Sequence, residues 1–411
     1  MPADVFVLKL NVVQVLALSA AGVAAGVWLK DRISLLDRLH IPAPVVGGLL
    51  YAMLALALRG RYVNFEMDLV LRDILMVAFF TTVGLSASFR LLRKGGVQVG
   101  WFLVLASVTA AMQNLLGIGL ASLLGLPPLL GVVTGSVSMT GGPATALAFG
   151  PLLEQMGAPA ASTVGLAAAM FGIVAGGLLG GYAGGRLIKR HGLRPAAAEL
   201  SPVEQLVYEG REAKLEASAV SSETVTEHTA LWSSIFAIAV AMGLGTLVSA
   251  WFERAGLTLP SYVGAMMAAG LLRNLDDRFR WIRISQREID NLGHIALSLF
   301  IVMALLTLRL WELIALAAPL FAILAAQVAL VWALGGLVYR AMGRDYDAAV
   351  MAGGFSGFTL GTTANALACM QVLTEKFGPA PRAYIVVPLV GAFFLDFTNA
   401  LIITTLANLF R

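Results

Sequence analysis

Two stretches of this chain carry residue types able to do chemistry in an otherwise oily sequence. The first is Gly135–Ala148, GSVSMTGGPATALA, and the second is Gly353–Ala368, GGFSGFTLGTTANALA. They end in ATALA and ANALA, offset by 220 residues. Backbone that leaves the helix inside hydrocarbon survives only where protein buries it or where it lines a cavity. Glycine permits a tight turn and close approach to a ligand. A half-helix N-terminus presents unpaired N–H groups and a positive dipole end, which suit a carboxylate. Carbonyl ends and hydroxyls suit a desolvated Na⁺. On that chemistry the substrate-binding candidates are Ser138, Thr140, Gly141, Gly142 and Thr145 in the first stretch, and Gly361, Thr362, Thr363 and Asn365 in the second. Ser136 and Thr359 are placed with a cation, and Ser356 is a further hydroxyl in the second stretch. The competing reading is that these small residues only tighten helix packing.

Further polar residues fall inside apolar runs. Asp396 is a carboxylate within a span, which is costly in a membrane and marks function by default. It is read as a cation ligand or counter-charge, with a buried structural acceptor as the alternative. Asn399 follows three residues later, on the same helical face. Gln113 and Asn114 are adjacent, so they point about 100° apart. One is expected to face a cavity and the other to bond a neighbouring helix. Asn114 is assigned to substrate and Gln113 and Asn399, with Asp396, to a cation. Gln327 is a comparable polar residue in a later span, while Thr81 and Thr82 are weaker candidates. No positive residue lies well inside a span, so an anion must be held by amides and helix ends or by a boundary arginine such as Arg273 or Arg309.

The elements that must position these groups are membrane helices. Of 411 residues, 59% are hydrophobic and 13% charged, and the mean hydropathy is +0.84. Several runs are long enough to cross about 30 Å of hydrocarbon. The period-two alternation of a membrane β-barrel is missing. The expected class is an all-α polytopic membrane protein built from two inverted repeats. Each repeat has five transmembrane helices and one re-entrant, broken-helix segment. Residues 1–190 form the first repeat with its re-entrant segment at 129–149. Residues 191–228 are a glutamate-rich hydrophilic linker, and 229–411 form the second repeat with its segment at 348–370. The first span is placed at Phe6–Leu29, an amphipathic connection at Arg59–Arg72, and polar returns at Pro151–Ser162 and Thr374–Pro381. Pro44-Val45-Val46-Gly47-Gly48 and Pro260-Ser261-Tyr262-Val263-Gly264 open matching short spans.

Charge sets the orientation. With both termini outside and the linker cytoplasmic, 21 of the 28 lysines and arginines fall inside and 7 outside. That is the positive-inside bias, and it holds only if neither broken segment crosses fully. Odd span counts per half make the halves inverted, a recurring transporter plan with the site at mid-depth between repeats. The start of the chain lacks the basic n-region of a cleavable signal peptide. Enzyme chemistry is not expected: there is no Walker motif, dinucleotide fingerprint or HExxH. His40, His191, His228 and His294 have no metal spacing, and the single Cys369 supports neither a disulfide framework nor a thiolate site. No cofactor and no nucleic-acid partner are implied. The arginines of Arg273–Arg287 suit lipid head groups.

The two polar segments, with their surroundings, resemble the bacterial sodium/glutamate symporter family over nearly the whole chain. The carrying stretches are Ile41–Gly48 (IPAPVVGG), Phe79–Leu85 (FFTTVGL), Met112-Gln113-Asn114, Thr140-Gly141-Gly142, Gly357–Thr362 (GFTLGT) and Val387–Asp396 (VPLVGAFFLD). The resemblance implies a secondary transporter of the bacterial inner membrane, working as Na⁺-driven glutamate uptake by alternating access with no chemical turnover. It also implies a homodimer in membrane lipid. Where the family looks like Gly-Gly-His-Gly, this chain has Gly141-Gly142-Pro143-Ala144. Glutamate is the default substrate; aspartate or a small dicarboxylate is the alternative. A passive channel is the reading from another class, told apart by flux without Na⁺ coupling.

Overall fold

The computed structural model describes residues 6–38, 41–58, 63–90, 96–195, 224–254, 260–279, 281–282 and 284–410. Most of the 191–228 linker lies outside these residues. The helices of the first half are α1 (Val12–Arg32), α2 (Ser34–Arg38), α3 (Ala43–Leu58), α4 (Val70–Ser86) and α5 (Gly96–Leu123). They are followed by α6 (Pro128–Val132), α7 (Gly142–Gln155) and α8 (Ala161–His191). The second half holds α9 (Thr224–Arg254), α10 (Ser261–Phe279), α11 (Gln286–Leu306), α12 (Ala317–Ala341), α13 (Tyr346–Thr359), α14 (Thr363–Phe377), α15 (Pro381–Leu389) and α16 (Leu395–Leu409). Among the described residues six helices are long and apolar enough to cross a membrane. The protein is a polytopic helical membrane protein.

It is not purely helical. Phe6–Leu10 (β1) pairs in parallel with Val63–Met67 (β2), so the first span begins at Val12 and the Arg59–Arg72 connection contains a strand. The cause of the late start is a capping box. Asn11 accepts from the Gln14 N–H while the Gln14 side chain accepts from the Asn11 N–H, both at 3.0 Å, satisfying two of the first turn's orphan donors. Lys9 stands opposite Glu66 in the ladder and pairs with it at 3.2 Å.

The first two long helices of each half meet in the same way, through glycine against backbone. A Cβ built on Gly26 would lie 2.0 Å from the Ala43 carbonyl oxygen, and one on Gly47 would lie 1.9 Å from that of Gly22. In the second half a Cβ on Gly245 would lie 2.2 Å from Ala265 Cα, and one on Gly264 would lie 2.5 Å from the Gly245 oxygen. Side chains at these positions would hold the helices apart, so the glycines set the approach of α1 to α3 and of α9 to α10. α4 and α10 then join the halves: Asn274 Nδ2 donates to the Ala87 carbonyl at 2.9 Å, and its Oδ1 accepts from the Phe89 N–H at 2.9 Å.

Both broken segments are helix–turn–helix hairpins. In the second, α13 and α14 run antiparallel: Cβ positions at Gly357, Gly354 and Gly353 fall within 3.2 Å of Ala366, 2.8 Å of Met370 and 2.6 Å of Leu373 respectively. In the first, α6 continues as a π-helical turn through Val137 and breaks at Gly135, whose ψ of −133° is non-helical. Val133 and Ala146, from opposite arms, flank the same face of Gly165. The polar returns are shorter than the sequence suggests. α7 continues through Pro151 to Gln155 because Leu153 beyond the proline is fully buried, and α14 continues through Thr374 to Phe377.

α8, 31 residues long, is the post both hairpins lean on. Gly150 at the base of the first hairpin faces Ser162 near the start of α8. Gly184 near its end faces Ala349 and Leu373 at the base of the second. The bases therefore lie toward opposite ends of α8, and the tips meet near its middle at Gly172. A Cβ there would lie 2.2 Å from the Leu360 oxygen and 3.1 Å from Met139 Cε.

Candidate functional site

The tips bring two half-helix N-termini together. α7 starts at Gly142, with φ +67°, and α14 starts after Thr362. A Cβ on Gly142 would stand 2.7 Å from Thr362 Cγ2 and 3.3 Å from the Gly361 oxygen, so glycine is needed both for the left-handed backbone and for the contact. Pro143 occupies the first turn of α7, where a backbone donor has no intrahelical acceptor. Thr363 lies against Gly391, in the π-helical turn Val390–Phe394 that interrupts the last span.

Side chains of the unbroken helix α5 hold the tips. Gln113 Nε2 donates to the Thr359 carbonyl at 2.6 Å, and Gln113 Oε1 accepts from Thr140 Oγ1 at 2.7 Å. One side chain thus bonds both hairpins. Asn114 grips the kink of the first: its Oδ1 accepts from the Ser136 N–H and its Nδ2 donates to Ser136 Oγ, both at 2.8 Å. The sequence separates Gln113 and Asn114 into one cavity residue and one helix-bonding residue. In the structure both are fully buried and both bond the hairpins: Asn114 meets the π-turn at Ser136, and Gln113 meets Thr140 beyond that turn and Thr359 of the second hairpin. Gln327 of α12 donates to the Gln113 carbonyl at 2.8 Å, and Asn399 of α16 donates to the Ser136 carbonyl at 3.2 Å.

Of the other candidates, Ser138 Oγ donates back to the Val133 carbonyl at 2.5 Å, and Thr359 Oγ1 back to that of Phe355 at 2.8 Å. Both hydroxyls are engaged within their own hairpins. Thr145 packs against Gly141. Asn365 Nδ2 donates to the Ile173 and Gly357 carbonyls at 3.0 and 3.1 Å, tying α14 to α8 and to α13. Ser356 bonds the Ala352 carbonyl at 3.1 Å. Asp396 meets no hydrogen-bond or ion-pair partner among the described residues. Three buried amide oxygens also accept nothing: Oδ1 of Asn365, Oδ1 of Asn399 and Oε1 of Gln327. Buried polar atoms are normally satisfied, so four oxygen-bearing groups on elements around the tips have capacity for a hard cation.

The boundary arginines are elsewhere. Arg273 pairs with Asp277 at 3.2 Å at the far end of α10, and Arg309 with Glu312 at 3.4 Å. Arg309 and Arg72 edge a cleft of about 170 Å³ that opens beside the first hairpin's base, among Leu147, Pro151, Glu154 and Ser162. Gln327, a polar residue comparable to Gln113 and Asn114 in the sequence, lies at the centre with them. Gly172 carries no such signal, being one of a run of glycines in α8. Among the described residues no cluster of three or more His, Cys, Asp or Glu could hold a metal ion.

These features define a multi-pass membrane protein whose polar centre is two opposed helix hairpins pinned by buried amides. The match to known proteins is specific. The sodium/glutamate symporter family profile covers residues 8–379. The sodium/glutamate symporter of Escherichia coli (strain K12) is 42% identical over 380 residues, covering 91% of this chain and 92% of that protein. The sodium/glutamate symporter of Haemophilus influenzae is 36% identical over 394 residues, covering 94% and 95%. The chain belongs to the sodium/glutamate symporter family. Among solved structures, a sodium proton antiporter from Methanocaldococcus jannaschii aligns at TM-score 0.43 and 14% identity, over 96% of this chain and 97% of that one.

Proposed function

We propose that the protein is a secondary active transporter of the bacterial inner membrane that couples L-glutamate entry to Na⁺ by alternating access. Family membership supports the substrate pair, and the observation that carries the mechanism is the Gln113 bridge between two hairpin tips at mid-depth. The hairpins enter from opposite faces as re-entrant segments, and the two repeats, 1–190 and 229–411, are inverted around them. The matched glycine contacts of α1–α3 and α9–α10 support the repeat. Both termini lie outside, and the 191–228 linker is cytoplasmic.

In this reading the backbone N–H groups of Ala144 and Thr145 in the first turn of α7, and those of Thr363 and Ala364 opening α14, hold the substrate carboxylates; the Gly141 and Gly142 N–H groups already bond the Ser136 and Ser138 carbonyls. Gly141, Gly142 and Thr145 on one side, and Gly361, Thr362 and Thr363 on the other, shape that anion site. Asp396 supplies negative charge for Na⁺, and the unpaired oxygens of Asn399, Asn365 and Gln327 add neutral ligands. Ser138, Thr359, Gln113 and Asn114 hold the tips in shape. Two copies associate through the scaffold, as the family resemblance implies, leaving the hairpin module free to move.

Proteoliposome uptake tests the proposal. An imposed Na⁺ gradient should drive labelled glutamate uptake, and unlabelled glutamate should compete better than aspartate, glutamine or dicarboxylates. Asp396→Asn should lose Na⁺ activation while still binding glutamate weakly. Uptake indifferent to Na⁺ would sink the symport reading, and unchanged Na⁺ activation in Asp396→Asn would remove that carboxylate from the site.

A further inference from the structure

A groove of about 630 Å³ runs between the last turns of α8 and the second arm of the second hairpin. Its charged lining is Arg186, Lys189, Arg190 and Lys376, and among the described residues no carboxylate lines it. All four cations are exposed. Its floor is two glycines, and they differ from their chain neighbours in a telling way. Gly180 and Gly184 are required by packing: a Cβ on either would lie 2.6 Å from the Gly353 oxygen or 2.4 Å from Leu373 Cδ1. Gly181 and Gly185 are not. A Cβ on Gly181 would meet nothing nearer than Val372 Cγ1 at 3.9 Å, and one on Gly185 nothing nearer than Leu373 and Phe377 at 3.8 Å. Side chains would fit at both positions and fill the groove; their absence keeps it open.

Two exposed aromatic groups stand beside the groove. Exposed Tyr182 stacks on Trp332 with centroids 5.6 Å apart, and the Arg186 guanidinium lies over the Trp332 ring at 5.9 Å. Tyrosine and tryptophan at such positions mark the level of lipid head groups. We propose that this groove binds one anionic phospholipid. Its phosphate sits among Arg186, Lys189, Arg190 and Lys376, and an acyl chain lies on Gly181, Gly185 and Val372. Basic pockets between membrane helices are suited to such head groups. A soluble phosphate would use the cations and leave the apolar floor bare. The lipid would fasten α14, at the base of the second hairpin, to α8. Placement in the inner leaflet rests on the orientation proposed above; the binding itself does not.

Native mass spectrometry of the purified full chain, offered equal phosphatidylglycerol and phosphatidylethanolamine with matched acyl chains, tests this. Phosphatidylglycerol should be retained preferentially, one per protomer. Arg186→Gln with Lys376→Gln should reduce its retention by about 25-fold, at about fivefold per cation removed. Gly185→Leu, with every charge intact, should block it by filling the floor, and Gly181→Leu is the second variant if Gly185→Leu does not fold. Equal retention of the two lipids would overturn the proposal, as would wild-type retention in the folded variants. Displacement of the lipid by millimolar inorganic phosphate would reassign the groove to a soluble anion. Loss of a dimer in Gly185→Leu would reassign it to a subunit contact. Glutamate uptake is read separately, so failure of the lipid site leaves the transport proposal standing.

Discussion

Gln113→Leu is the perturbation that bears most directly on the mechanism. The side chain is 0% exposed, and it bonds the Thr359 carbonyl at 2.6 Å and the Thr140 hydroxyl at 2.7 Å. Hydrogen bonds between membrane helices average about 0.6 kcal/mol and reach about 1.7 kcal/mol. Leucine removes two of them and also strands buried partners, which cost about 1–3 kcal/mol each when nothing replaces the bond. A net loss of about 1–3 kcal/mol in the coupling between the hairpins corresponds to about 5–150-fold. The readout is the apparent affinity for Na⁺ and for glutamate in gradient-driven proteoliposome uptake, with thermal unfolding in detergent as the folding control. Thr140→Val removes one of the two bonds and should give the smaller effect. The double variant should be close to Gln113→Leu alone, because its second bond is already gone. Strictly additive effects would show that Gln113 and Thr140 do not work through each other. A folded Gln113→Leu with wild-type affinities for both ligands would refute the idea that this bridge organises the site.

Asn114→Leu should lower stability by about 2–4 kcal/mol, since two buried bonds to Ser136 are lost at the backbone kink; an unchanged unfolding temperature would count against the clamp. Gly142→Ala should cost about 1–2 kcal/mol for its left-handed backbone, and it should also weaken glutamate uptake by pressing on Thr362; normal kinetics would mean that the tips need not touch. Gly172→Ala, whose Cβ would meet the Leu360 oxygen, should abolish uptake, whereas Gly181→Ala should be silent in transport and stability. In a Cys369→Ala background, Glu154→Cys and Glu375→Cys at the two hairpin bases should react with an impermeant maleimide from opposite sides of the membrane; reaction from one side only would end the inverted arrangement.

The polar stretches were legible because Gly, Ser and Thr stand out against a membrane sequence, and helix-breaking backbone there needs a reason. The hairpin form and the register of its arms were not. Pro151 reads as an end, yet Leu153 beyond it is buried and carries the helix on. Phe6–Leu10, apolar but for Lys9, is a five-residue run that fits a helix or a strand equally well. Its identity is set by a partner strand lying beyond α1 and α3, and no local pattern names that partner. The Asn11–Gln14 capping box was the readable local signal that the helix starts later. Gly172 shows the same limit in the site: its value comes from Leu360 lying against it, a fact of the third dimension.

The position of the pinning residues also bears on which parts move together. Gln113, Asn114 and Gln327 sit on α5 and α12, neither of which is broken, and their bonds reach into one hairpin or the other or into each other's backbone. Asn365 fastens the second hairpin to α8, and Asn399 fastens α16 to the first. Moving either tip alone across the bilayer would break several of these buried bonds at once, with no water at that depth to replace them. Moving α5, α8, α12, α16 and both hairpins as one body breaks none of them. The surface that must slide is then the one between this body and α3, α4, α10 and α11, where the apolar contacts of Val45, Phe80, Tyr262 and Phe300 can exchange partners at little cost. On these energetics the alternating access proposed above would be motion of the whole pinned module against that scaffold, with local opening left to the exposed edges of the tips.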